Sequence, residues 1–173
     1  IAAVVITFLG FGFFQASKLT KIHITKTVTI DGTEQEEFDM VKYLDNFPKW
    51  SPFLEADPTQ KYEVKGDDGQ VGVQFHWEGN GRKDLGYQEI VKINELSFVG
   101  VQCAIQKPFK ATPTFDYTFS KSSNGVTVTQ DFKLQSGLVD AFFMWMFGAK
   151  KEMAKTNERG LTLLKNYIEN NKV

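Results

Sequence analysis

The chain of 173 residues has the length of one globular domain. Its charged fraction of 24% and formal net charge of -1 exclude the strongly basic surface that is typical of nucleic-acid-binding proteins. The single cysteine, Cys103, excludes an internal disulfide and a cysteine-rich metal site. Because Cys103 alternates with apolar neighbours, we expect it to be a buried small hydrophobic residue. The 16 phenylalanines require a large core or a lined cavity.

The first 14 residues, Ile1–Phe14, carry no charge. A helix of this length spans about 21 Å, less than the ~30 Å hydrocarbon core of a bilayer. Because the chain begins with Ile rather than Met, we expect residues upstream. The leading interpretation is a truncated single-pass membrane anchor at residues 1–17, followed by a soluble domain at residues 18–173 on an undetermined side of the membrane. A signal-peptide core and a buried or amphipathic helix are the alternatives.

The next segments predict a strand and a helix. Alternation of β-branched residues with polar residues predicts a strand over Lys21–Ile30. Thr33 and Glu36 have the spacing of a capping box, which predicts a helix from about Glu34 to Leu44. The following segment, Asn46–Phe53, contains two prolines and three aromatic residues and is expected to be a loop or a short second helix.

Six further strands are predicted, joined by short polar turns. Asn124-Gly125 is a strong hairpin signal, and the regular spacing indicates an antiparallel meander. In the predicted strand Asp84–Ile93, the apolar residues do not all fall on alternate positions, so they do not share one face of the strand. A β-bulge would reconcile them. The predicted strands are Gln60–Lys65, Val71–Glu78, Asp84–Ile93, Leu96–Gln106, Ala111–Ser120 and Gly125–Gln135.

Strict alternation over Val71–Trp77 indicates a strand with one face against apolar material. Val71, Val73, Phe75 and Trp77 share that inner face. His76, with Glu78, falls on the opposite face, so we expect no catalytic or metal-binding pair there. The sequence also lacks the common catalytic and phosphate-binding motifs, and we predict no cofactor and no metal site.

The last third of the chain predicts one long amphipathic helix over Leu138–Asn170. Gly160 within it is best explained by close approach of the helix to the sheet. The helix opens with an unbroken apolar run, Phe142–Phe147. Two of its residues, Phe142 and Met146, are predicted to face a cavity, and Phe143 and Trp145 are candidates for an outward patch.

At the residue level the chain resembles the SRPBCC superfamily of START-like domains, in particular its polyketide cyclase/dehydrase-type bacterial branch. The resemblance covers about Ile22 to Glu169. The matching segments are Val28–Ile30, Leu44–Phe53 with Asp57-Pro58, Gly69–Gly72, Trp77–Asn80, Pro108–Ala111 and Gly160–Lys165.

The resemblance implies the helix-grip fold. This α+β fold has a curved antiparallel sheet of about seven strands, two short helices after the first strand and a long C-terminal helix across the sheet. It also implies a cavity that binds an apolar small molecule such as a lipid, sterol or polyketide. The residues expected to line the cavity or its mouth are Trp50, Phe53, Phe75, Trp77, Tyr87, Phe115, Tyr117, Phe142 and Met146.

Three functions remain open at this stage. The first is a membrane-tethered module that binds an apolar ligand without covalent chemistry. The second is a cyclase or dehydratase, which needs an acid–base pair in the cavity, for which Tyr87, Gln88, Glu89 and Tyr117 are the candidates. The third is a membrane-held interaction module that docks a partner through Phe142–Phe147. An enzyme is the less favoured class, and the oligomeric state is left open.

Overall fold

A computed structural model describes residues 2–171 of the chain. Ile1 of the predicted anchor, and Lys172 and Val173 of the predicted soluble domain, lie outside the described residues. Within residues 2–171, five α-helices and seven strands follow one another. Two short 3₁₀ helices, Leu44–Lys49 and Asn80–Arg82, complete the structure. The helices are α1 (Ala2–Ser17), α2 (Glu34–Lys42), α3 (Pro52–Ala56), α4 (Leu138–Met146) and α5 (Ala149–Asn170). The strands are β1 (Lys21–Ile30), β2 (Lys61–Lys65), β3 (Gln74–Gly79), β4 (Asp84–Asn94), β5 (Phe98–Lys107), β6 (Thr114–Ser122) and β7 (Gly125–Gln135).

All seven strands form one antiparallel sheet in the order β1-β7-β6-β5-β4-β3-β2. The first strand therefore pairs with the last, while β2 to β7 form the predicted meander. Register shifts between Leu85 and Gly86 and between Ile90 and Lys92 place irregularities in β4, as the change of parity predicted. The predicted fold class is confirmed: a curled antiparallel sheet holds a long C-terminal helix against its inner face.

The main core lies between the sheet and helices α2 and α5. Phe38 of α2, Leu164 of α5 and Val128 of β7 are fully buried in it. This packing fixes α2 and α5 over the sheet.

The predicted capping box starts α2, because Thr33 Oγ1 accepts from the Glu36 backbone N–H and the Glu36 carboxylate accepts from the Thr33 backbone N–H.

The strand predicted over Val71–Glu78 begins later than expected. Val71 is 58% exposed, and β3 starts only at Gln74. Gly72 lies at φ +95°, a conformation that favours glycine and interrupts the extended backbone. Val73 and Phe75 are buried as predicted, so the alternation places the inner face correctly only from Val73 onward.

The single C-terminal helix is also a correction, because the structure has two helices there. The break lies at Phe147 and Gly148, and Gly148 has a left-handed φ of +65°. Periodicity missed it because the residues from Phe142 to Phe147 are all apolar and show no face. α4 consequently packs on α1, where Phe142 lies 4.8 Å from Phe13 between ring centroids.

The predicted single-pass anchor is wrong. Among the helices that the structure describes, none is long and apolar enough to cross a membrane. The apolar segment instead forms α1, which ends at Ser17 and packs its aromatic side chains on α4. Trp145 of α4 lies 5.9 Å from Phe8 and 6.0 Å from Phe11.

Gly160 is buried in α5, and its nearest neighbour is Pro52 of α3 rather than the sheet. A Cβ atom added at Gly160 would lie 3.5 Å from the Pro52 ring, an ordinary van der Waals distance. Because alanine is favoured over glycine in a helix interior by about 1 kcal/mol, we expect Gly160→Ala to stabilise the protein by up to about that amount. Urea unfolding monitored by circular dichroism measures it, and a lower midpoint would show that α3 cannot accommodate the methyl group.

Candidate functional site

A cavity of about 430 Å³ lies between the inner face of the sheet, helix α3 and the first half of α5. Its sheet wall comes from β3 to β7, and its helix wall from residues between Ala149 and Gly160. The volume falls in the range of ~300–1,000 Å³ that is usual for small-molecule sites. The close packing around Phe38 and Leu164 lies outside this cavity, since neither residue lines it.

The lining is mainly aromatic and aliphatic. Six of the nine residues that the sequence proposed for a cavity lie around it: Trp50, Phe53, Phe75, Trp77, Phe115 and Tyr117. Apolar residues that the sequence analysis did not name complete it, mainly on the strands β5 to β7 and on α5. They are Ile105, Pro108, Phe109, Ala111, Pro113, Phe132, Leu134 and Met153, with Phe47 and Pro52 at the entrance segment.

The other three proposed residues lie elsewhere. Gly86 and Gln88 of β4 are buried, so Tyr87 between them faces outward and stacks on His76 at 5.2 Å. Phe142 contacts α1, and Met146 is 43% exposed. The two residues of α4 are not in the lining because the break at Gly148 turns α4 away from the direction of α5.

Side chains of the segment between α2 and β2 form one wall of the cavity. Trp50 donates its indole N–H to the Met40 carbonyl at 3.0 Å, which fixes the ring at the cavity wall. Helix α3 carries Pro52 and Phe53, and its Glu55 forms a two-point ion pair with Arg159 of α5. The Arg159 guanidinium lowers the pKa of the Glu55 carboxyl. Both partners are therefore charged at neutral pH, and their ion pair links α3 to α5.

The sheet wall carries a row of polar side chains set by strand register. Gln88 of β4 pairs with Cys103 of β5, and Tyr117 of β6 pairs with Gln130 of β7. All four side chains line the cavity and are buried. Gln130 Nε2 donates to the Tyr117 hydroxyl at 2.9 Å. The wall is thus apolar with an uncharged polar strip.

Burial controls the protonation of this strip. Burial raises the pKa of the Tyr117 phenol well above its ordinary value, and the Cys103 thiol is raised to a pKa of about 12 for the same reason. Both groups are therefore protonated at neutral pH. Tyr117 is a neutral hydrogen-bonding group rather than a base, and Cys103 is not an activated nucleophile.

Cys103 should consequently resist thiol reagents. With a pKa of about 12 instead of ~8.5 for a free thiol, its thiolate fraction at pH 8 is lower by about a thousandfold. We expect labelling by 5,5′-dithiobis(2-nitrobenzoic acid) to be slower than in the urea-unfolded protein by at least that factor, and faster as pH rises toward 11. Fast labelling of the folded protein at pH 8 would contradict the buried position.

Two carboxylates, those of Asp84 and Glu152, line the cavity. Asp84 accepts hydrogen bonds from Trp77 Nε1 at 3.0 Å and from Gln60 Nε2 at 3.5 Å. Glu152 lies on α5 and is paired with Lys155 at 2.8 Å. Among the described residues no Lys, Arg or His lines the cavity. They also include no group of three or more His, Cys, Asp and Glu side chains that could hold a metal ion.

Sequence reasoning did not propose Gln130 or Asn157, which are polar residues of the lining. Gln130 occupies an inward position of β7, between the buried residues Val128 and Phe132. A polar residue at an inward position of an apolar alternation is a signal that the sequence carries. Asn157 lies on the buried stripe of α5, where its spacing from Met153 and Gly160 also indicated an inward position.

Comparisons with known proteins identify the fold. No family model matches the sequence, and no curated protein sequence matches it. Among solved structures, protein CV1439 from Chromobacterium violaceum is 10% identical with a TM-score of 0.63, over 85% of this chain and 97% of that one. Ara h 8.0201 is 10% identical with a TM-score of 0.61, over 87% of this chain and 99% of that one.

A third similar structure is the di-domain ARO/CYC StfQ from the steffimycin biosynthetic pathway. It is 10% identical with a TM-score of 0.63, and the match covers 87% of this chain and 51% of StfQ. Identities this low carry information about fold rather than activity. The chain has the helix-grip fold that these structures share, the fold that the resemblance in its sequence implied.

Proposed function

We propose that residues 18–173 form a binding domain for an apolar small molecule of the lipid, sterol or polyketide-like class, held in the cavity without covalent chemistry. The observation that carries the proposal is the cavity itself, about 430 Å³ with a mainly aromatic and aliphatic lining. Burying an apolar ligand against such a lining is favourable by roughly 25 cal/mol per Å² of apolar surface removed from water. The domain supplies this surface in a preformed shape, which lowers the entropic cost of binding.

The fold comparison supports a ligand of this kind. StfQ, which shares the fold, is described as an ARO/CYC of the steffimycin biosynthetic pathway. The cavity of the present chain lies between the sheet and α5. Both points support an apolar ligand held between the sheet and α5.

A cyclase or dehydratase is less well supported by the polar groups of the cavity. Proton transfer needs a base near its acid. Tyr117 is protonated, and its partner Gln130 is an amide that does not accept a proton. Glu89 is on the outer face, where it accepts from Gln74 at 2.6 Å. Asp84 is a carboxylate of the lining, and its hydrogen-bond donors are Trp77 and Gln60 rather than Tyr117.

Native mass spectrometry of protein purified from cells tests the proposal. We expect species heavier than the chain by the mass of an apolar molecule, which organic extraction removes. A titration of the extracted protein with 1-methylpyrene, followed by fluorescence, then reports refilling of the cavity. If the purified protein is empty and the extracted protein does not bind 1-methylpyrene, the proposal is wrong.

A further inference from the structure

The cavity contains polar atoms whose hydrogen-bonding capacity the protein does not use. Gln130 on the sheet wall is 3% exposed, and Asn157 on the helix wall is 5% exposed. Gln130 Oε1 and Asn157 Nδ2 are both buried, and neither has a hydrogen-bond partner among the described residues. A buried polar group without a partner has lost its hydration without compensation, so native proteins rarely keep one without a reason.

The two atoms are complementary in chemistry and in position. Gln130 Oε1 is an acceptor on β7, whereas Asn157 Nδ2 is a donor on α5, so they belong to opposite walls of the same cavity. Tyr117 adds a further donor, because its oxygen accepts from Gln130 Nε2 and its own O–H has no acceptor among the described residues. The residues that line the two walls therefore carry one acceptor and two donors that a molecule between the walls could use after small side-chain rotations.

The charges of the lining restrict the charge that a bound molecule can carry. The two ionisable carboxyl groups of the lining, Asp84 and Glu152, are acidic, and no basic side chain lines the described cavity. A carboxylate or phosphate on the ligand would lose its hydration without gaining a counter-charge, which is strongly unfavourable. An anionic ligand such as a free fatty acid is disfavoured for this reason.

From these contacts we infer that the ligand is a neutral apolar molecule that bears a hydroxyl group, which lies between Gln130 and Asn157. The inference rests on the proposed function and specifies its ligand class. A hydroxyl donates one hydrogen bond and accepts others, so it donates to Gln130 Oε1 and accepts from Asn157 Nδ2. Because it does both, it also satisfies either side chain with its amide group rotated by 180°.

Three probes with one ring system test the inference: 1-pyrenemethanol, 1-methylpyrene and 1-pyrenecarboxylate. Fluorescence titration of the full chain gives the dissociation constant of each. Two new hydrogen bonds inside the cavity are expected to make 1-pyrenemethanol bind about tenfold more tightly than 1-methylpyrene. The carboxylate is expected to bind at least about tenfold more weakly than 1-methylpyrene, because its charge is buried unpaired.

Variants locate the effect. The double variant Gln130→Met and Asn157→Leu keeps the size of the side chains and removes the amides, so it is expected to lose most of the preference for 1-pyrenemethanol over 1-methylpyrene. Gln102→Met is the matched control, because Gln102 is exposed on the outer face of β5 and should leave the preference unchanged. The ranking of the three probes on the unmodified chain tests the inference even if the double variant does not fold.

The possible outcomes separate the two proposals. If 1-methylpyrene binds as tightly as 1-pyrenemethanol, or the carboxylate binds best, the inference is wrong and the apolar cavity remains. If the preference for the alcohol persists in the folded double variant, the hydroxyl does not lie between Gln130 and Asn157, and the inference is again wrong. If none of the probes binds, the proposed function itself fails.

Discussion

Replacing Ala111 by tryptophan is expected to raise the dissociation constant of 1-methylpyrene by at least about tenfold, because the indole occupies the space that the ligand needs. Ala111 lines the cavity and is half-buried. Its backbone exchanges two hydrogen bonds with Ile105, at 3.2 and 2.9 Å, and these do not depend on the side chain. The variant should therefore fold, with a loss of stability near the low end of the ~1–3 kcal/mol typical of overpacking.

The control for this blocking variant is Thr118→Trp. Thr118 is exposed on β6 between the buried residues Tyr117 and Phe119, so the same aromatic side chain is added to the same protein on the outer face of the sheet. Fluorescence titration of both variants, with thermal unfolding as the check of folding, measures the effect. Unchanged affinity of the folded Ala111→Trp protein would show that the probe binds outside the cavity.

Truncation of Phe38 to alanine is expected to destabilise the protein by about 3–5 kcal/mol, the usual cost of deleting a buried phenylalanine ring. Phe38 of α2 is fully buried and packs edge-on against Phe119 of β6, with 5.5 Å between the ring centroids. Its removal leaves a cavity at the point where α2 contacts the sheet. Urea unfolding monitored by circular dichroism gives the free energy of unfolding.

Phe53→Ala is the matched control for Phe38→Ala. The Phe53 side chain is 48% exposed at the entrance of the cavity, and its loss should change the free energy of unfolding by less than about 1 kcal/mol. It should weaken binding of 1-methylpyrene instead, since Phe53 lines the entrance. Equal destabilisation by the two substitutions would contradict the division between a packed core around Phe38 and an open cavity near Phe53.

The sequence predicted a helix or strand well where a capping box or a turn dipeptide marks its end. The capping box at Thr33 and Glu36 starts α2, and the Asn124-Gly125 turn joins β6 to β7 at the expected residue. The observed strands β1 and β7 have the bounds predicted from alternation alone. Period-two patterns succeed here because these strands bury one face and expose the other.

The errors have physical causes at particular residues. The left-handed conformations at Gly72 and Gly148 end a strand pattern and a helix pattern, and a glycine in sequence does not reveal which backbone region it occupies. The apolar residues of α1 resemble an anchor by composition, and only the structure shows that they pack on α4.

The cavity shows the same limit. Alternation separates the inner from the outer face of a strand, and Phe75, Phe115 and Tyr117 lie on the inner face that it indicated. Tyr87 lies on the outer face, because the irregularities of β4 decide which parity faces inward. Whether an inward side chain fills the core or lines a space depends on how far α5 lies from the sheet, and this distance is a tertiary property.

The most direct test of binding in the cavity is to locate the probe by nuclear Overhauser effects between 1-methylpyrene and protein methyl groups. The account predicts contacts to Ile105, Leu134 and Met153, which line the cavity from the sheet and from α5. Contacts confined to Leu138 and Val139, which are exposed on α4, would contradict it, because they would place the apolar molecule on the surface of the protein.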